Sequence, residues 1–140
     1  MFSKKVAYAV RCLVYLAEGN EPSLIRDISE ATDIPHPFLA KIVNDLTRKG
    51  FLKSQRGVGG GIAFAKDPKS ISICEVCISF DDPLLQEQCL IGMPECSDVN
   101  GCVFHSFWSK QKEKIINYLQ ATTIETIAKA RKKSDRKNRI

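Results

Sequence analysis

Apolar positions recur with a helical period from the start of the chain. Val6, Val10, Leu13, Val14 and Ala17 fall on one face of a segment from Ser3 to Glu18, which Gly19-Asn20 ends. Ser23 stands where it can cap a second helix, Leu24 to Thr32, with Leu24 and Ile28 inward. After the short Asp33-Ile34 turn, Pro37 suits the first position of a third helix. In it Leu39, Ile42, Val43 and Leu46 keep the i, i+3, i+4, i+7 spacing until Gly50. The order is helix, turn, helix. Phe51 to Arg56 and Ile62 to Ala65 then predict two short strands around Gly57-Val58-Gly59-Gly60-Gly61, a β-hairpin beside the third helix.

Helical signals return beyond Asp67-Pro68. Ser72 with Glu75 makes a capping box for a helix whose Ile73, Val76, Cys77 and Phe80 share a face, and Asp82-Pro83 ends it. Residues 84 to 101 form a loop long enough to carry function. Phe104, Trp108, Ile115, Tyr118 and Leu119 trace a long amphipathic helix, broken only by Gln111, with more large apolar side chains than a small domain can cover. A second copy of the chain would cover them. Thr122 with Glu125 caps a last short helix. The fold class is therefore mainly α with a small β-hairpin. A winged helix-turn-helix unit spans 1–82, a cysteine-containing loop 83–102, a dimerisation helix region 103–128 and a basic, disordered tail 129–140.

Length limits what such a chain can be. Its 140 residues fit one domain with an appendage and exclude a multidomain enzyme. No apolar run approaches the roughly 18 residues a membrane span needs, and Arg11 and Glu18 break the N-terminal stretch that superficially resembles an export signal. A cytoplasmic protein without a membrane partner is expected. Charge is unevenly placed: residues 1–70 carry 11 Lys/Arg against 7 Asp/Glu, 71–127 carry 3 against 8, and 128–140 carry 7 against 1. A basic first half and a basic end point to a polyanion, although the end alone also reads as a solvated run.

The third helix supplies the means to meet one. His36 stands at its start, and Phe38, Lys41, Asn44, Asp45 and Arg48 lie on its outward face, where they can reach phosphates and base edges if the helix enters a groove of double-stranded DNA. The same face also reads as merely solvated. The hairpin shifts the balance, because Lys53 and Arg56 can contact phosphates or the minor groove, while Gly57, Gly59 and Gly60 permit close backbone approach. A nucleotide-binding loop is the other reading of those glycines, but no Lys-Ser/Thr follows and the run leads into a strand. No Ser-His-Asp arrangement for a hydrolase is found.

Six cysteines in a chain without an export signal indicate reduced thiols. Cys74 and Cys77 could be half a metal site or a redox pair, but both fall in a short apolar helix and read better as packing. Cys89, Cys96 and Cys102 differ, delivering three soft ligands from one loop with gaps of six and five residues. His105, three residues after Cys102, would share its side of the long helix if that helix begins near Gly101, and a helix start there would favour the Cys102 thiolate. An iron-sulfur cluster, structural zinc, and free thiols beside a surface histidine all remain open from spacing.

Taken together, Ala9-Val10, Asp27-Ile28-Ser29, Phe38-Leu39 and Arg56-Gly57-Val58-Gly59-Gly60-Gly61 resemble the Rrf2 family of bacterial winged-helix regulators, from about Ser3 to Ala128. Within it the three-cysteine loop with His105 resembles the IscR-like branch, the iron-sulfur cluster regulators. The resemblance implies a homodimeric repressor or activator that binds operator DNA. It also implies Cys89, Cys96, Cys102 and His105 as ligands of an iron-sulfur cluster that answers to iron-sulfur, redox or nitric oxide status. A [2Fe-2S] cluster is favoured over [4Fe-4S], because Ala7 stands where members with the larger cluster draw on a carboxylate. A regulator without a cluster, answering to a partner protein or small molecule, is the alternative, and a thiol redox protein a more remote one. Two departures stand out: the first cysteine gap is one residue longer than usual, and Pro35 and Pro37 replace small hydroxyl residues at the start of helix three.

Overall fold

The computed structural model describes residues 1–86, 89–92, 99 and 102–138. Helix α1 (Lys4–Tyr15) begins where the Ser3 hydroxyl accepts the Val6 N–H at 3.3 Å. It continues through a wider turn, Leu16–Asn20, in which Gly19 takes φ +96°, a left-handed conformation open to glycine at no steric cost. Helix α2 (Ile25–Thr32) ends at Asp33, itself left-handed at φ 53°, a region Asp tolerates. Helix α3 (His36–Arg48) follows, with Leu39, Ile42, Val43 and Leu46 buried as their spacing predicts. It starts one residue ahead of Pro37, with Pro35 in the cap position.

Strands β1 (Leu52–Gln55) and β2 (Gly61–Phe64) pair antiparallel, from Leu52 opposite Phe64 to Gln55 opposite Gly61. Here one expectation fails. Ser23 does not cap α2; its backbone exchanges two hydrogen bonds with Ile62, of 3.1 and 2.7 Å, and its hydroxyl donates to the Asn20 carbonyl. Leu24 becomes the cap residue and is 49% exposed rather than inward. The Glu21 carboxylate also accepts the Phe64 N–H at 2.8 Å, so the α1–α2 connection acts as a third strand-like partner that holds the hairpin in place.

Ser72 caps α4 (Ile73–Ser79), accepting the Glu75 N–H at 3.0 Å, while the Glu75 carboxylate pairs with Lys66. Helix α5 (His105–Ala121) packs against α4, and α6 (Ile124–Asn138) returns to α1. The core is not closed by the first 82 residues: Leu119, Ile124 and Ala128 join Val6, Leu13, Ile28, Leu39, Leu46, Ile71 and Val76 in one buried cluster. The Ile124 N–H donates to the Ile71 carbonyl and the Ile73 N–H to the Thr122 carbonyl, both at 2.9 Å, which sews the α5–α6 turn to the start of α4.

Two expectations for the end of the chain are corrected. Thr123, not Thr122, caps α6, accepting the Thr126 N–H at 3.2 Å, because the Thr122 hydroxyl donates back to the Tyr118 carbonyl. Instead of a disordered tail from residue 129, α6 runs as a helix through Asn138, nucleated by the buried Ile124 and Ala128. Among the described residues no helix is long and apolar enough to cross a membrane.

Candidate nucleic-acid interface and cysteine loop

Burying Leu39, Ile42, Val43 and Leu46 leaves the opposite side of α3 in solvent. His36, Phe38, Lys41, Asn44 and Arg48 are exposed there, Phe38 at 57%. Arg48 pairs with the Asp45 carboxylate on the next turn back, which fixes its direction and leaves donors of its five-donor fork for another acceptor.

The hairpin adds to this face. Lys53 is exposed on β1, Arg56 lies one residue past its end, and Val58 at the tip is fully exposed. Gly57 and Gly59 have φ of +99° and +74°, and a Cβ on Gly60 would lie 2.2 Å from the Gln55 carbonyl oxygen. Only glycine lets the tip fold this tightly, with the Gly60 N–H donating to the Gly57 carbonyl at 3.0 Å.

Pattern reading along the chain missed one component. Lys4, Lys5 and Tyr8 of α1 share a cleft of about 300 Å³ with Phe38, Lys41, Ile42 and Asp45 of α3. Three lysines therefore stand around the exposed aromatic. Their charge is plain in the sequence, but their nearness to α3 depends on how α1 crosses it, which no local signal carries.

The cysteines separate into two kinds. Cys12, Cys74 and Cys77 are buried in the core, and burial pushes the Cys12 thiol up to about 12. Burial raises Cys74 too, and burial together with the neighbouring Asp82 and Cys74 takes Cys77 to about 12. Thiols held protonated are poor nucleophiles and poor ligands, so Cys74 and Cys77 act as packing groups. Cys89 is buried and Cys102 half-buried in the loop segments. The long helix starts at His105 and not near Gly101, with Phe104 as its cap residue, so Cys102 precedes the helix instead of sharing its side. A hydrogen bond from the His105 N–H to the Cys102 carbonyl, at 3.1 Å, still ties the two together. Cys96 lies outside the described residues, and among those described no three metal-ligating side chains converge.

Asp82 fixes the root of this loop. Its buried carboxylate accepts the Ser3 N–H at 2.8 Å and the Leu84 N–H at 2.9 Å. On the far side the Lys112 ammonium donates to the Gln86 carbonyl. The loop thus departs from a point bonded both to the first turn of α1 and to α5.

Comparison with known proteins decides the family. The profile described as Rrf2, iron-dependent transcriptional regulator, matches residues 2–130. This chain belongs to the Rrf2 family. Its relatives include an HTH-type transcriptional regulator of Aquifex aeolicus, 34% identical over 91% of this chain and 90% of that one. The HTH-type transcriptional regulator IscR of Klebsiella pneumoniae is 30% identical over 87% of this chain and 76% of its own. Two solved structures share the Rrf2 fold. CymR, the global cysteine regulator of B. subtilis, superposes with a TM-score of 0.76 at 22% identity over 93% of this chain and 97% of its own. T. potens IscR does so at 0.73 and 24% over 96% and 90%. The chain is a DNA-binding transcriptional regulator of winged-helix architecture, not an enzyme.

Proposed function

We propose that this Rrf2 protein works as a homodimer that reads operator DNA and reports iron-sulfur, redox or nitric oxide status through a cluster held by Cys89, Cys96, Cys102 and His105, [2Fe-2S] before [4Fe-4S]. Thiolates and an imidazole are donors such a cluster takes, and burial of Cys89 with half-burial of Cys102 keeps these two out of bulk water. When bound, the cluster would supply a redox-active centre. The rest is done by the chain. His36, Phe38 and Asn44 meet base edges, Lys41, Arg48, Lys53 and Arg56 make mostly phosphate or groove contacts, and Gly57, Gly59 and Gly60 let the hairpin backbone come close. Lys4 and Lys5 add charge beside Lys41.

The observation that carries this reading is Asp82. One buried carboxylate bonds the root of the cysteine loop to Ser3, the cap of the helix whose lysines flank α3. Ordering or freeing the loop therefore biases how α1 and α3 are presented, a shift between two states that bind the cluster unequally. The exposed Phe104, Phe107 and Tyr118 of the α5 region supply the apolar face for a second copy.

Visible and electron paramagnetic spectra of protein purified without oxygen test the ligand set. Wild type should be coloured, and His105→Ala should change the spectrum and lose the cluster faster in air. An unchanged spectrum removes His105 from the set, and wild type that stays colourless after reconstitution leaves a regulator without a cluster.

A further inference from the structure

Helix α6 is longer than the core requires. Ile124 and Ala128 are buried, yet the helix runs on to Asn138 with every described residue from Lys129 onward exposed. A stretch that is polar all round gains nothing from packing. Its charges are nevertheless sorted. At 3.6 residues per turn, Lys129, Lys132, Lys133, Arg136 and Lys137 fall within an arc of about 140°, while Arg131 and Asp135 lie on the side of Ile124 and Ala128. Arg131 is used inward, its Nε 3.0 Å from the Glu18 carboxylate, and Lys129 pairs with Glu125 at 3.4 Å. Among the described residues no acidic side chain pairs with Lys132, Lys133, Arg136 or Lys137.

The place where this face leaves the body narrows what it meets. Arg131 shares a cleft of about 290 Å³ with Arg11 and Tyr15 of α1 and with Thr32 and Asp33, the turn that presents α3. The helix that carries the arc is therefore anchored beside the helix-turn-helix on its inner side and extends about 10 Å beyond Arg131 at 1.5 Å per residue. Measured along the duplex axis, that length matches roughly three base-pair steps at 3.4 Å of rise each. A membrane surface is a poorer match, since among the described residues no large apolar side chain accompanies the cations beyond Ile127.

We infer that the outer face of α6 is a second contact to double-helical DNA, with Lys133, Arg136 and Lys137 laid along phosphates that flank the sequence read by α3, joined by Lys132, whose ammonium rests beside Gly19 at the edge of that face. The inference rests on the DNA-reading assignment above. Such a contact adds affinity and salt dependence without base preference.

The test uses the full chain and a duplex that wild type selects from a random pool, in a long form and in a form trimmed to the footprint of α3 and the hairpin. Lys132→Gln/Lys133→Gln/Arg136→Gln/Lys137→Gln should bind the long duplex ~10-fold or more weakly at 0.15 M salt. Its log Kd against log salt slope should be shallower by about 2 to 4 for each protomer bound. Sequence preference and affinity for the trimmed duplex should stay as in wild type, and Lys132→Arg/Lys133→Arg/Lys137→Arg should behave as wild type throughout. Equal slopes and affinities on the long duplex would show the face to be merely solvated and overturn the inference. So would an equal loss on both duplexes, which would mark damage to the fold. If wild type selects no duplex at all, the DNA-reading assignment fails first and takes the inference with it.

Discussion

Cys12 shows how much a single side chain says about the division of labour among the thiols. It lies fully buried in α1, and burial alone lifts its thiol to about 12. In the unfolded chain the same thiol ionises at its ordinary value, so between about pH 9 and 12 the unfolded state holds fewer protons than the native one. Stability from this residue is complete below that window and is lost as pH rises through it, by at most about 1.4 kcal/mol per pH unit. Urea unfolding measured across that range should fall less steeply for Cys12→Ala than for wild type, although the variant is weaker at neutral pH for lack of packing. Parallel curves would mean that Cys12 is accessible in the native fold. The sequence made Cys77 legible as core through its i, i+3, i+4 neighbours Ile73, Val76 and Phe80. Cys89 is the opposite case, buried although no period surrounds it.

Among the elements, the hairpin depends most on backbone geometry. Its glycine run was plain in the sequence, but not that a Cβ on Gly60 would strike the Gln55 carbonyl, nor that Ser23 would leave its capping role to pair with Ile62. Local propensity favoured the cap, and two backbone bonds to the hairpin outweighed it. Gly60→Ala should therefore open the tip and weaken DNA binding about 10-fold or more, in line with loss of one or two phosphate contacts, while the thermal midpoint moves by only a few degrees. A variant that binds like wild type would remove the hairpin from the interface. Helix α6 teaches a related lesson. Its last turns contain no apolar periodicity, which is why residues 129–140 read as disordered, and the helix as far as Asn138 is held by Ile124, Ala128 and the Arg131–Glu18 pair.

Across the whole molecule, the α-helical order and the hairpin were readable because each helix carries its own apolar stripe and stop signal. What joins them was not readable: α6 completing the core, the lysines of α1 standing beside α3, and Asp82 bonding Ser3 to the loop are all separated by dozens of residues. The proposed coupling belongs to this scale: a cluster on the loop alters how the DNA face is set. Gel-shift affinity of the same preparation with its cluster and after its anaerobic removal by a chelator measures it directly. A difference of about tenfold or more, a coupling of roughly 1.4 kcal/mol, is expected on at least one operator that wild type protects in footprinting. Equal affinities on every such operator would contradict it.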